Sequence, residues 1–191
     1  HSIVVIDDIK KLCSETINNN KNESKWKNKL FLIIPIRIGI NNINPIYMDT
    51  LLNLLSLKQS VGFIGGKPGK SFYFIGYRGK NLIYLDPHNV SNNIIIDDFF
   101  PKIKDLLSYH CLIPNEININ KIDPSLSIGF LINDKNDFDT FCTSIKKINE
   151  NNASFFEIIN NKKTIKLFNE DINSKKNNTN DNNYEDTWEL I

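Results

Sequence analysis

Apolar side chains recur along this chain at two spacings, one typical of amphipathic helices and the other of strands. The helical spacing predicts helices over residues 4–13, 45–55 and 133–149, with Asn133 as the cap of the third. Runs rich in β-branched and aromatic residues predict strands over residues 30–37, 72–77, 82–85, 126–132 and 155–159. In the first of these strands the apolar run is continuous, which predicts a strand buried on both faces.

The stretch SFYFIGYRGKNLIYLDPH, residues 71–88, contains the candidate chemistry. Two apolar runs flank the turn residues Arg78–Asn81, a pattern that predicts a β-hairpin. Pro87 disfavours the helical region for the residue before it, so Asp86 and His88 are predicted on an extended segment with their side chains on one face. A carboxylate that holds one imidazole nitrogen leaves the other free to act as a base for a thiol or hydroxyl. The alternative is a simple turn that closes the strand.

A glycine-rich segment, residues 61–71, precedes the hairpin. Its end, Gly69-Lys70-Ser71, matches the last three residues of a phosphate-binding P-loop, but that motif requires glycine where this chain has Ile64. A P-loop serine also opens a helix, whereas the residues after Ser71 are typical of a strand. We therefore interpret the segment as a mobile loop that enters the hairpin.

Composition excludes several classes of protein. The 23 basic residues are nearly balanced by 22 acidic ones, whereas a nucleic-acid binder needs a concentrated basic face. The three cysteines are far apart and form neither a disulfide framework nor a Cys-x-x-Cys metal motif, which indicates a reducing compartment. The longest apolar run, Leu30–Ile36, is too short to span a bilayer. We expect a soluble, cytoplasmic protein with no nucleic-acid partner.

Four blocks of sequence, taken in order, resemble one family of proteases. They are NPIY at Asn44–Tyr47, QSVGFIGGKP at Gln59–Pro68, YFIGY at Tyr73–Tyr77 and LIYLDPH at Leu82–His88. With further similarity upstream and downstream, the resemblance covers residues 3–160. The chain resembles the autophagins, the autophagy-related protein 4 cysteine proteases.

This resemblance implies an α+β, papain-like fold in which a mixed or antiparallel sheet is flanked by helices. It also implies a thiol protease that trims ubiquitin-like autophagy modifiers after a glycine, and later cleaves the same modifiers from lipid in transient contact with membranes. Asp86 and His88 would complete a catalytic triad with a cysteine. The family's chemistry needs no cofactor and no metal.

The chain departs from the family at the nucleophile, because it contains no Gly/Trp-Gly-Cys motif. Cys13 resembles a non-catalytic position, and Cys111 and Cys142 are interpreted as packing residues. The N-terminal part of the same protease is therefore expected to carry the catalytic cysteine. Residues 1–168 would be the C-terminal part of the protease domain, with residues 15–29 as a flexible insertion. The alternative is a non-catalytic module that binds a ubiquitin-like modifier.

The resemblance also suggests roles for two further segments. The family's regulatory loop covers the active-site cysteine in the free enzyme, and its counterparts here are Lys67, Pro68, Gly69 and Lys70. Residues 169–191 are predicted to be a flexible polar tail, yet Trp188 and Ile191 lie three residues apart behind acidic residues. That spacing resembles the short linear motif that binds ubiquitin-like autophagy modifiers. Alternatively, the apolar end of the tail folds back on its own domain.

Overall fold

The structure, a computed structural model, describes residues 2–16, 24–90, 110 and 113–161. In chain order the strands are β1 (Ser2–Val5), β2 (Ser14–Thr16), β3 (Ser24–Trp26), β4 (Leu30–Arg37), β5 (Ser60–Lys67), β6 (Lys70–Arg78), β7 (Asn81–Leu85), β8 (Asn115–Asn118), β9 (Ser125–Ile132) and β10 (Phe156–Ile159). The α-helices are α1 (Ile6–Cys13), α2 (Met48–Leu55) and α3 (Lys135–Asn151). Short 3-10 helices cover Pro45–Tyr47 and Ile119–Lys121.

Six of these strands form one sheet in the order β4-β9-β5-β6-β7-β8, and every neighbouring pair in it is antiparallel. Strands β1 and β10 pair in parallel, whereas β2 and β3 pair antiparallel. The predicted hairpin is confirmed as β6 and β7, joined by a two-residue turn at Gly79 and Lys80. This combination of helices with a largely antiparallel sheet confirms the expected α+β class.

One face of the six-stranded sheet, here called the inner face, packs against helices α2 and α3. The rings of Phe63 and Phe74 stack on it with their centroids 4.5 Å apart. Phe130 on β9 lies 4.8 Å from Phe141 of α3, and both rings are fully buried. Burial of side chains of this size contributes roughly 1.5–3 kcal/mol each to stability. The aromatic layer therefore fixes the strands that carry the candidate site.

The prediction that β4 is buried on both faces is wrong. Its side chains alternate, so that Ile34 is buried while Phe31 and Ile33 are 59% and 53% exposed. The apolar run is continuous because both faces of the strand carry apolar residues. Only the face that holds Ile34 belongs to the core.

The predicted helices at both ends of the described chain begin slightly later than expected. Helix α1 begins at Ile6 because Ser2–Val5 form β1, which pairs with β10. Helix α3 is capped by Asp134, whose Oδ1 accepts a hydrogen bond from the backbone N of Asp137 at 2.8 Å. Asn133 is not the cap; it donates its backbone and side-chain N–H groups to Oδ2 of Asp137.

Part of the predicted insertion at residues 15–29 belongs to regular structure. Its two ends form the paired strands β2 and β3. The indole of Trp26 packs on the ring of Phe138, with 5.5 Å between the centroids. This pair attaches β3 to helix α3.

The prediction of a mobile loop over residues 61–71 is wrong, since most of these residues lie in β5 and β6. Only Pro68 and Gly69 connect the two strands, and Gly69 has a φ of 78°, as the third position of a type II turn requires. A Cβ at Gly66 would lie 2.0 Å from the carbonyl oxygen of Lys70. That glycine therefore permits close approach of the two strands rather than mobility.

Gly62 provides a direct test of this packing. It lies at a β-bulge opposite Gly129 with a φ of 93°, and a Cβ there would be 2.2 Å from the carbonyl oxygen of Phe74. We expect Gly62→Ala to lower the free energy of unfolding by about 2 kcal/mol or more, measured by urea denaturation. Gly76→Ala is the matched control, because it lies at the bulge of β6 with no heavy atom within 4 Å of its Cβ. Equal effects of the two substitutions would contradict this explanation.

Candidate active site

The candidate site is formed where β7 ends, at Asp86, Pro87 and His88. Oδ1 of Asp86 accepts a hydrogen bond from the backbone N of His88 at 2.9 Å and lies 2.7 Å from Nδ1 of the same residue. The two side chains are in contact, as expected from the sequence. The predicted extended path is wrong, however, because these residues form a turn. An aspartate side chain commonly captures the backbone N–H two residues further on, and here that bond folds the segment.

The two hydrogen bonds from His88 act on the charge of Asp86. The bond from the backbone N of His88, and next the bond from its ring, hold the pKa of the Asp86 carboxyl below its usual value. The positive charge of Lys70 acts in the same direction. The Asp86 side chain is 14% exposed and that of His88 is 43% exposed. An ionised carboxylate on Nδ1 selects the tautomer in which Nε2 can accept a proton.

Two residues of β6 complete the surroundings of the pair. The ring of Phe72 lies edge-on to the ring of His88, with 6.3 Å between centroids and an interplanar angle of 87°. Lys70, at the start of the same strand, contributes the charge that acts on Asp86. Phe72 was not among the residues predicted at the site. Residues 72–75 are all apolar or aromatic, so no pattern in the sequence distinguishes Phe72, and only the pairing of β6 with β7 brings it to His88.

Comparison with known proteins identifies the family. The family model of the Peptidase C54 catalytic domain matches residues 1–144. The chain belongs to the Peptidase C54 family. The resemblance to the autophagins is thereby confirmed, and the α+β architecture described above is that of a papain-like Peptidase C54 domain.

Individual relatives agree with this assignment. The cysteine protease ATG4A of Homo sapiens is 37% identical over 179 residues, and that of Mus musculus is 36% identical over 176 residues. Both alignments cover 82% of this chain and 44% of the relative. The cysteine protease ATG4a of Arabidopsis thaliana is 33% identical over an alignment of 191 residues, which covers 99% of this chain and 39% of the relative. The chain thus spans less than half the length of these relatives.

The two cysteines that the structure describes, Cys13 and Cys142, lie in surroundings that disfavour the thiolate. Cys13 in α1 is buried, and burial raises the pKa of its thiol. Burial, together with the charge of Asp139, raises the pKa of Cys142 to about 11. Cys142 lines a groove between α1, α3 and β10, whereas His88 follows β7. The thiolate is the nucleophilic form of cysteine, and the surroundings of both residues disfavour it.

Three residues singled out in the sequence, Cys111, Trp188 and Ile191, lie outside the described residues. Among the residues that the structure does describe, no three His, Cys, Asp or Glu side chains come close enough to hold a metal ion. In the same ranges, no helix combines the length and apolarity needed to cross a membrane. The roles assigned to Trp188 and Ile191 remain predictions.

Proposed function

We propose that this chain supplies the base and the orienting carboxylate of a cysteine protease that acts on ubiquitin-like autophagy modifiers. The substrate bond would be the one after a glycine near the modifier's C-terminus, and later the bond between the modifier and lipid. The contact between Oδ1 of Asp86 and Nδ1 of His88 carries the proposal. Membership of Peptidase C54 and similarity to the ATG4A proteases support it.

His88 and Asp86 have different roles in the proposed reaction. Nε2 of His88 takes the proton of a cysteine thiol, and the resulting thiolate attacks the carbonyl carbon of the substrate glycine. The imidazolium then gives its proton to the leaving amine, which departs and leaves a thioester on the cysteine. Water hydrolyses the thioester with His88 again acting as the base. Asp86 holds the ring orientation and stabilises the imidazolium at both stages.

We infer that the nucleophile belongs to the remaining part of the same protease. The raised thiol pKa values of Cys13 and Cys142 support this inference. The relatives are more than twice as long as the matched part of this chain, which leaves room for a segment that carries the cysteine. The chain alone would then be inactive, and the assembled enzyme would act in the cytoplasm, with transient access to lipidated modifier on membranes.

The turn at Lys67, Pro68, Gly69 and Lys70 is proposed as the regulatory segment of this site. The charge of Lys70 acts on Asp86, which supports a position beside the catalytic pair. The two-residue connection, however, makes it a short hairpin end rather than a long lid. Movement of this segment would therefore involve the ends of β5 and β6.

A cleavage assay tests the proposed function. The substrate is a ubiquitin-like autophagy modifier extended beyond its C-terminal glycine, incubated with the complete protease or with this chain alone. We expect cleavage after the glycine by the complete protein and none by the chain. A complete protein that binds the modifier without cleaving it, and whose gene encodes no reactive cysteine, would favour the non-catalytic binding module.

The proposed role of the tail, residues 169–191, can be tested separately. Deletion of Thr187–Ile191 removes both proposed anchor residues, Trp188 and Ile191, and we expect it to weaken binding of the modifier about tenfold or more. Calorimetric titration with the modifier measures this effect. The thermal midpoint should not change if the tail has no role in the fold. Unchanged affinity would show that the tail is not a binding element.

A further inference from the structure

Strand β10 pairs with only one strand, β1, in the part of the chain that the structure describes. The backbone N of Asp7 donates to the carbonyl oxygen of Asn160, which continues this parallel pairing beyond the end of β10. The backbone N–H and C=O groups of successive residues alternate between the two edges of a strand. Those of Glu157 and Ile159 therefore point away from β1. A strand edge of this kind can pair with a further extended segment.

A groove of about 670 Å³ runs along this second edge of β10, between the strand and helix α3. Four consecutive residues, Glu157–Asn160, line it, as expected at the edge of a strand rather than on one of its faces. Its apolar wall includes Cys142, Ile145 and Ile158. The charged side chains that line it are Glu150, Glu157 and Lys146, so acidic groups outnumber basic ones. The groove therefore suits an extended segment with apolar and basic side chains.

The sequence directly after β10 has the pattern of a hairpin partner for this strand. Residues 160–163, Asn-Asn-Lys-Lys, begin with two asparagines, which favour turns. Residues 164–168, Thr-Ile-Lys-Leu-Phe, then alternate between polar and apolar over their first four positions, as in a strand. Four-residue loops are common in β-hairpins. The segment 164–168 is also basic at Lys166, in accord with the acidic groove.

A four-residue loop defines the register of such a hairpin, because it places residue 164 opposite Ile159. Lys166 would then lie opposite Glu157, and Ile165 opposite Ile158. Pairs of opposite charge and pairs of apolar side chains both stabilise antiparallel strands. Leu167 would lie opposite residue 156, a phenylalanine that is fully buried in the core. A register shifted by one residue would lose both kinds of pair and turn the apolar side chains to the other face.

We propose that residues 164–168 dock in this groove along the second edge of β10, as a strand antiparallel to it. The loop is long enough, because the last described residue, Asn161, directly follows Asn160 of the groove wall. The proposal does not depend on the catalytic function. Docking attaches the chain to the domain as far as residue 168, so the proposed modifier-binding residues Trp188 and Ile191 are tethered beside α3.

Disulfide cross-linking in the complete protease tests the register. Directly opposed residues that exchange backbone hydrogen bonds have Cα atoms about 5.5 Å apart, within reach of a disulfide. We expect Glu157→Cys combined with Lys166→Cys to bridge at least about tenfold more completely than Glu157→Cys combined with Lys163→Cys. In the proposed hairpin, residue 163 is displaced from residue 157 by about 10 Å along the strand. Mass spectrometry of unreduced peptides measures both bridges. Equal bridging, or none in either variant, would overturn the proposal.

Hydrogen exchange provides a second, independent measurement. In the complete protease, Ile165→Asp places a carboxylate on the apolar side of the docked segment and should release it. We expect the peptide that contains the amides of Glu157 and Ile159 to exchange about tenfold faster in this variant than in the unsubstituted protein, because both amides lose their partners. Ile172→Asp is the matched control, since it makes the same substitution outside the segment. Equal exchange rates of this peptide in the two variants would contradict the docking.

A photo-crosslinking residue at position 143 identifies the occupant, since Thr143 lines the groove and is exposed. A cross-link within one molecule to residues 164–168 supports the proposal. Cross-links to another part of the protease, to residues 184–191, to a second copy or to the added modifier would each show a different occupant and overturn it. None of these measurements requires cleavage, so an inactive protein would leave the proposal intact.

Discussion

Replacement of His88 by alanine in the complete protease is expected to reduce kcat/KM for an extended modifier by at least about 10³-fold. The substitution removes the group that is proposed to take the thiol proton and later to protonate the leaving amine. The turn at the end of β7 should survive, because Asp86 accepts the backbone N–H of residue 88 as well as the ring. Modifier binding and the thermal midpoint are therefore expected to remain close to those of the unsubstituted enzyme.

His110→Ala is the matched control for this experiment. It removes the same side chain from an exposed position outside the Asp86–His88 turn. We expect its kcat/KM to stay within about twofold of the original value, as for most surface substitutions. Near-normal cleavage by the His88→Ala enzyme, or an equal loss in both variants, would remove His88 from its assigned role.

The hairpin and the contact between Asp86 and His88 could be predicted because the relevant information is local. Two apolar runs separated by Arg78–Asn81 allow few arrangements other than β6 and β7. Asp86 and His88 are only two residues apart, so their side chains can meet in a turn as well as in a strand. The backbone conformation from Asp86 to His88 could not be predicted in the same way. The bias that Pro87 imposes competes with the capture of a backbone N–H by a carboxylate, and here the hydrogen bond prevails.

The glycine-rich segment was harder to predict because glycine has two opposite uses. It supports mobility in loops, but it also allows two backbones to approach closely in a sheet. Gly62 and Gly66 serve the second purpose, since a Cβ at either position would meet a carbonyl oxygen of β6. Such a requirement depends on the partner strand, and no spacing within residues 61–71 reveals it.

The exposure of one face of β4 could not be predicted from the sequence. The side chains on that face are apolar, although they lie outside the core of the described chain. Apolar composition on both sides of a strand normally indicates two covered faces. Phe31 and Ile33 are exceptions, because both side chains are apolar and more than half exposed. Whether the second face of a strand is covered depends on what packs against it, and the residues of the strand itself do not reveal that.

Asp86→Asn is expected to reduce kcat/KM much less than His88→Ala, by about 10- to 100-fold. One oxygen of Asp86, Oδ1, is the partner of both the backbone N and the ring Nδ1 of His88. An asparagine can keep its carbonyl oxygen at this position, so the turn and the tautomer persist while the negative charge that stabilises the imidazolium is lost. Asp86→Ala removes the acceptor altogether and should cost about 10³-fold or more. Single-turnover kinetics of the complete protease measure all three variants.

The segment Asp123-Pro124-Ser125 provides an internal control for the substitutions of Asp86. Oδ1 of Asp123 accepts the backbone N–H of Ser125 at 2.7 Å, so the segment repeats the aspartate turn without a histidine. Asp123→Asn should preserve that turn for the same reason and leave kcat/KM within about twofold. Suppose that Asp86→Asn and Asp86→Ala reduce kcat/KM equally while Asp123→Asn leaves it unchanged. The negative charge of Asp86 then accounts for its contribution, and the hydrogen bonds of its Oδ1 do not. If Asp86→Asn is as mild as Asp123→Asn, orientation of the ring is the whole contribution of Asp86.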